Sequence, residues 1–165
     1  MTGQTFTYMR NKIFAELLQN EKIIKALVIE DEDFLNIPPN EQQQQYLDDP
    51  LLLVRNYIYP YKKMFDTATE HKTIISTELS EFGKVGKNYR NGFVTFYVLT
   101  PIELENTMYG IRYDFVCDEI ETIFNNTTIG EFNYDTRGDI DVGDRYIGHY
   151  VRFRITDFHI VWGVY

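Results

Sequence analysis

The sequence of 165 residues holds a single cysteine, Cys117, so no intrachain disulfide can form and nothing in the cysteine usage implies an oxidising compartment. Long hydrophobic runs are also missing, because no stretch approaches the roughly 20 apolar residues of a membrane span. The N-terminal segment MTGQTFTYMRNKIF lacks a charged start, an apolar run and a small-residue cleavage site. The expectation is a protein neither secreted nor membrane-inserted, in a cytosolic redox environment, for which the sequon Asn126-Thr127-Thr128 is a coincidence. Positive charge is scarce: 16 Lys and Arg face 25 Asp and Glu, a formal charge of -9. That balance argues against a general nucleic-acid binder, which gains affinity by neutralising phosphates, yet it is compatible with a ring through which DNA slides. Metal-ligand spacing is absent too, since His71, His149 and His159 are far apart and none sits in a Cys/His pair.

What is present points to a folded chain. Hydrophobic residues make up 44% and charged residues 25%, well away from the composition of disordered chains, and the length suits one domain over residues 1–165. Aromatic residues reach 16%, with 13 Tyr and 12 Phe. Such rings favour sheets and interfaces, so the composition leans toward partner binding.

Met9, Ile13, Phe14, Leu17 and Leu18 recur at helical spacing and predict a helix from about Tyr8 to Gln19. Asn20 then suits the cap of a second short helix carrying Ile23, Ile24, Ala26 and Leu27. A long acidic and Gln-containing connection follows over about 30–60, broken by Pro38-Pro39, Pro50 and Pro60, with little regular structure expected. Its first part carries Glu30, Asp31, Glu32, Asp33, Glu41, Asp48 and Asp49 without one Lys or Arg. The apolar run Leu51, Leu52, Leu53, Val54, Tyr57 and Ile58 is expected to pack back onto the domain as a turn of helix or a short strand.

Alternation takes over from His71 to Phe82, with Thr73, Ile75, Thr77 and Leu79 on one face. Phe93 to Leu99 is apolar on both faces except at Thr95, as in an interior strand. The Gly- and Asn-rich segment 83–92 between them reads as the tip of a long antiparallel hairpin. Thr107 to Asn125 returns to helical spacing, with Ile111, Phe115, Val116, Ile120, Ile123 and Phe124 in one stripe. Strands near Ile129 to Tyr134 and Tyr146 to Phe158 close the chain, joined by an Asp- and Gly-rich segment, 135–144. In the last strand Val151, Phe153 and Ile155 face inward while Tyr150, Arg152 and Arg154 face out, and Ile160-Val161-Trp162 extends the sheet or packs under it. The fold class is therefore α+β: an antiparallel sheet with a long hairpin, packed against an N-terminal helix pair and one central amphipathic helix.

Gly83-Lys84-Val85-Gly86-Lys87-Asn88 resembles a phosphate loop only in letters, because the glycines are too close and Asn88 replaces the Ser or Thr that would hold magnesium. Lys84, Lys87, Tyr89 and Arg90 instead form a candidate interaction tip. Asp135, Asp139, Asp141 and Asp144 are oxygen-rich, but Gly143 occupies a required ligand position of a calcium loop and no Glu closes it. Arg137-Gly138-Asp139 matches an adhesion tripeptide by coincidence. Cys117 lies within the strong helix and reads as a small core residue. Asp114, Asp118 and Glu121 form a helical row of carboxylates, an exposed face unless burial shifts their protonation. Catalytic, metal and cofactor residues are therefore expected to be none. The outer face of the last strand, Tyr150, Arg152 and Arg154, is a second candidate interaction surface.

Tyr109-Gly110-Ile111-Arg112-Tyr113-Asp114 opens the central helix, which ends at Ile123-Phe124. Gly130 and Tyr146-Ile147-Gly148-His149-Tyr150 lead into the last strand, and Asp48-Asp49-Pro50-Leu51 with Tyr59-Pro60 marks the connection. Together with the order of elements, these segments resemble the small neck proteins of tailed bacteriophages, nearest the tail-terminator and tail-completion group, with related head–tail connectors similar. The resemblance implies a structural virion protein, assembled in the host cytoplasm, that forms a homo-oligomeric ring, commonly a hexamer, on the last ring of the tail tube. Its implied partners are the tail-tube protein and head-completion or connector proteins, with DNA only passing through the lumen and no membrane. Two alternatives stand beside it: a head-completion adaptor or a baseplate or sheath component, and a small enzyme or ligand-binding domain built from Asp114, Asp118, His149 and nearby tyrosines.

Overall fold

The computed structural model describes residues 2–63, 70–85, 89–125, 131–140 and 142–157. Helix α1 spans Thr2–Gln19, six residues earlier than the apolar spacing predicts, and buries Met9, Ile13, Phe14 and Leu17. Asn20 caps α2, Glu21–Val28, by accepting from the Ile23 amide at 3.0 Å, which supplies one of the partners that a first helical turn lacks.

The acidic connection is more regular than expected. Asn40 and Gln43 form a reciprocal capping box that starts α3, Glu41–Asp48, and this local pairing outweighs the breaks imposed by the neighbouring prolines. Asp49 then caps a 3-10 turn, Pro50–Leu53, and β1, Ile58–Tyr59, adds a short strand. Only part of the apolar run packs back. Leu53 and Ile58 are fully buried, whereas Leu51 is 70% and Leu52 44% exposed, because a turn of three residues directs successive side chains to different sides.

Strands β2, Ile74–Val85, and β3, Tyr89–Pro101, make the long hairpin. The segment Thr107 to Ile111, expected as helix, is a small hairpin of β4, Asn106–Thr107, and β5, Gly110–Ile111. Helix α4, Arg112–Asn125, starts after it. Strand β6, Glu131–Asp139, runs five residues beyond its expected end and takes in Asp135 and Asp139, so the connection to β7, Tyr146–Asp157, is shorter than expected. Ile160-Val161-Trp162 lies outside the described residues.

The main sheet has the order β1-β2-β3-β7-β6. Strand β1 is parallel to β2, and the other neighbours are antiparallel. The architecture is α+β, a mixed but mostly antiparallel five-stranded sheet carrying the N-terminal helices and α4 on one face. Strand register explains why that face is apolar: Ile75, Val94, Phe96, Val98, Val151, Phe153 and Ile155 share it and are buried. Phe124 of α4 stacks on Phe96 and Phe132 at 4.9 and 5.0 Å between ring centroids, so aromatic contact across three elements fixes the helix on the sheet.

Arg112, at the first position of α4, is 1% exposed. Its Nε donates to Leu104 O, one Nη to Ala26 O and Ile29 O, and the other to Glu30 O and Asp31 O, all at 2.8–2.9 Å. A guanidinium has five N–H donors, and each is used on a main-chain carbonyl. The group also lies 4.9 Å from the centre of the Phe34 ring. Burial lowers its pKa to about 10, so it remains charged at neutral pH and complements the negative end of α2. Replacement Arg112→Met is expected to lower stability by about 3 kcal/mol, since the abandoned carbonyls lose charged donors without gaining water. Urea unfolding should show a lower midpoint at unchanged slope.

Candidate functional site

Two groups of polar side chains stand out, one on each side of the sheet. On the helix side, β6 and β7 bring Arg137 and His149 under the carboxylates of α4. Register places Arg137 opposite Val151 and Asp139 opposite His149. The guanidinium of Arg137 donates to Asp114 at 2.5 Å, Asp118 at 2.6 Å and Glu121 at 3.2 Å. His149 lies with Nδ1 2.8 Å from Asp114 and Nε2 2.6 Å from Asp139, and its ring is 4.7 Å from that of Tyr113.

The predicted carboxylate row is present on α4, and folding brings His149 against Asp114. Arg137, part of the Arg137-Gly138-Asp139 tripeptide, occupies the centre. Burial acts to lower its pKa, but the hydrogen bonds that it donates to Asp118 and Asp114 outweigh it and hold the guanidinium above its ordinary range. The carboxylates therefore meet a permanent cation, and their lone pairs are engaged in joining β6 to α4. A cleft of about 480 Å³ lies elsewhere, lined by Val28, Ile29, Glu30, Tyr46 and Tyr57 among others. Among the described residues no group of three or more His, Cys, Asp or Glu is arranged to hold a metal ion. Asp135 pairs with Arg152 and Asp139 with His149; Asp141 lies outside the described residues.

Cys117 is fully buried on α4. Burial pushes its thiol from 9.0 up to about 12, so it is not the thiolate that a nucleophile needs. Gly83 belongs to β2, and the element after the glycine-rich segment is β3 rather than the helix of a phosphate loop.

The opposite side of the sheet carries a basic and aromatic surface. Phe93, Thr95 and Tyr97 of β3 stand opposite Arg154, Arg152 and Tyr150 of β7. Arg152 and Arg154 approach the Phe93 ring at 4.6 and 5.5 Å, Lys62 lies 5.0 Å from the Tyr97 ring, and the Tyr97 and Tyr150 rings are 6.5 Å apart. Two carboxylates are held in place here: Tyr97 donates to Glu78 at 2.6 Å and Arg152 to Asp135 at 2.7 Å. Burial, then the bond to Glu78, raises the Tyr97 phenol and keeps it a donor. Arg154 is exposed and has no carboxylate partner among the described residues. Gly138 makes room for Tyr150, since a Cβ there would meet its ring at 2.9 Å.

Tyr150, Arg152 and Arg154 thus form the outward surface predicted for them, with Phe93 and Tyr97 added by strand pairing. At the hairpin tip Lys84 pairs with Arg90 and Val85 with Tyr89 in the ladder. The side chains of Lys84, Tyr89 and Arg90, and the whole of Lys87, lie outside the described residues.

Two measurements check these assignments. Arg137→Ala should cost about 2 kcal/mol, the scale of lost charged hydrogen bonds, and the loss should shrink in high salt. Native Cys117 should resist a thiol reagent until denaturant is added. Because the native thiol keeps its proton above pH 9 while the unfolded chain releases it, stability should fall as pH rises through about 9 to 12, by at most about 1.4 kcal/mol per pH unit for this group. Tyr57, Tyr97, Tyr113 and Tyr146, all raised first by burial, act with the same sign at higher pH.

A family model described as YomW matches residues 20–155. No curated protein and no solved structure matches the chain.

Proposed function

This chain belongs to the YomW family, and we propose for it a structural role: a virion protein of a bacteriophage neck that forms an oligomeric ring, caps the tail tube, ends tail growth and supports head–tail joining. The observation that carries this reading is the outer sheet surface. Aromatic rings and arginines are the residue types enriched where proteins meet, and here Phe93, Tyr97, Tyr150, Arg152 and Arg154 share one side of two adjacent strands.

The sheet edges support it as well. Among the described residues, β6 has no partner on its outer side, and β2 is paired outwardly only at Ile75 and Ser76. Such edges leave backbone donors and acceptors for a neighbouring subunit. The resemblance to tail-terminator proteins supplies the ring, its tail-tube and connector partners and its place in the virion. The charge of -9 suits a ring through which DNA passes without being held.

Catalysis at the α4 cluster is the weaker reading, because Arg137 and His149 occupy the carboxylates that would act as acid or base. Electron microscopy of the full chain mixed with tail tubes tests the proposal. A ring at the tube end is expected. Absence of a ring, together with normal tail length and head joining after deletion of the gene, would overturn it.

A further inference from the structure

The connection between α3 and β1 presents a second surface whose chemistry is the counterpart of the outer sheet face. Leu51 is 70% and Leu52 44% exposed, on a 3-10 turn whose next residue, Leu53, is buried in the core. Asp48 and Asp49, both exposed, stand immediately before them. The turn is held from several sides: Asp49 accepts from the Leu51 amide, Gln44 donates to Asp48, and Asn56 donates to Leu52 O. Two adjacent leucines are therefore fixed in solvent beside two carboxylates. A fixed prong of this kind loses little conformational freedom on docking.

We propose that this acidic leucine prong docks onto the basic aromatic face of a second copy of the chain, with Leu51 and Leu52 against Phe93, Tyr97 and Tyr150 and the Asp48–Asp49 pair toward Arg154. The proposal rests on the ring reading above and names its subunit contact. Charge complementarity carries the choice of occupant. On the face, Glu78 is engaged by Tyr97 and Asp135 by Arg152, which leaves Arg154 and Lys62 as cations without a carboxylate partner among the described residues. On the prong, Asp48 and Asp49 outnumber the nearby exposed Arg55.

Topology supports the same occupant. The prong leads directly into β1 at one edge of the sheet, whereas the face is centred on β3 and β7 toward the other. The two surfaces lie on different parts of one subunit, so the contact is head to tail. Repeated identically, such a contact leaves no surface unfilled when the rotation closes, and a ring results.

Charge reversal tests the pairing without touching the core. Sedimentation of the full chain should show concentration-dependent association. Asp49→Arg and Arg154→Asp should each weaken it by about tenfold or more, the scale of juxtaposing like charges, and the double variant should regain most of the loss. Leu51→Asp should also weaken association, while its urea unfolding curve stays that of the parent because Leu51 contributes nothing to the core. Association unchanged in all three single variants would overturn the contact but leave the ring reading standing. A parent chain monomeric at every concentration would overturn the second copy as occupant, and the ring at the tube end would then be judged by microscopy alone. Failure of the double variant to recover, with both singles folded, would overturn the pairing of Asp49 with Arg154.

Discussion

The buried guanidinium of Arg112 is the constraint around which the chain is arranged. A cation removed from water normally demands a carboxylate, since burial penalises an unpaired charge. Here the compensation comes from five main-chain carbonyls, contributed by the end of α2, the start of the acidic connection and the turn before β4. One side chain therefore ties residues 26–31, which lie 81 to 86 positions away in the chain, to Leu104, which lies 8 positions away. The consequence reaches the acidic stretch: Tyr109 donates to Asp33, the Met108 amide donates to Glu32 O, and Phe34 packs edge-on against Tyr109 and Phe115. Residues that repel one another by charge are held through the carbonyls of Glu30, Asp31 and Glu32 and through the Asp33 carboxylate, which accepts from Tyr109 and Asn36.

That anchoring has consequences for function. With residues 26–31 fixed, α3 and the 3-10 turn follow a short path from a defined start, and the Asp48 to Leu52 prong is held in place rather than free. On the same side of the sheet, Arg137 serves a related purpose by tying the edge strand β6 to α4. The two arginines have opposite surroundings. Arg112 meets carbonyl dipoles in the interior, while Arg137 meets formal charges near the surface, where salt and solvent moderate the attraction. Both leave the outer sheet face free of packing duties, and Arg152 and Arg154 can lie over Phe93 there.

Local pattern was sufficient for the elements whose spacing is set by a single face. Apolar periodicity identified α1, α2 and α4, alternation identified β2, β3 and β7, and Asn20 was recognisable as a cap because capping is a contact within four residues. The outward set of Tyr150, Arg152 and Arg154 followed from the same alternation. Legibility failed where a local pairing competed with composition. The acidic, Gln-containing stretch reads as irregular, yet Asn40 and Gln43 start a helix. Leu51 and Leu52 read as core, yet the turn leaves them exposed. Thr107 to Ile111 continues a helical pattern in letters, but the chain reverses there because Gly110 adopts a φ of 96°.

The sequence by itself determined the α+β class, the apolar faces and the side of β7 that turns outward, because each depends on residues a few positions apart. Tertiary structure alone decided which distant groups meet. Arg112 has no sequence signal, since its partners are carbonyls that every residue carries. Arg137 has none either, because its carboxylates come from a helix that packs over β6 only once the sheet has formed. The same reason separates the two halves of the proposed surface chemistry. Strand pairing sets Phe93 and Tyr97 beside Arg152 and Tyr150, and the path of the connection leaves two leucines and two aspartates pointing away from the core that Leu53 enters.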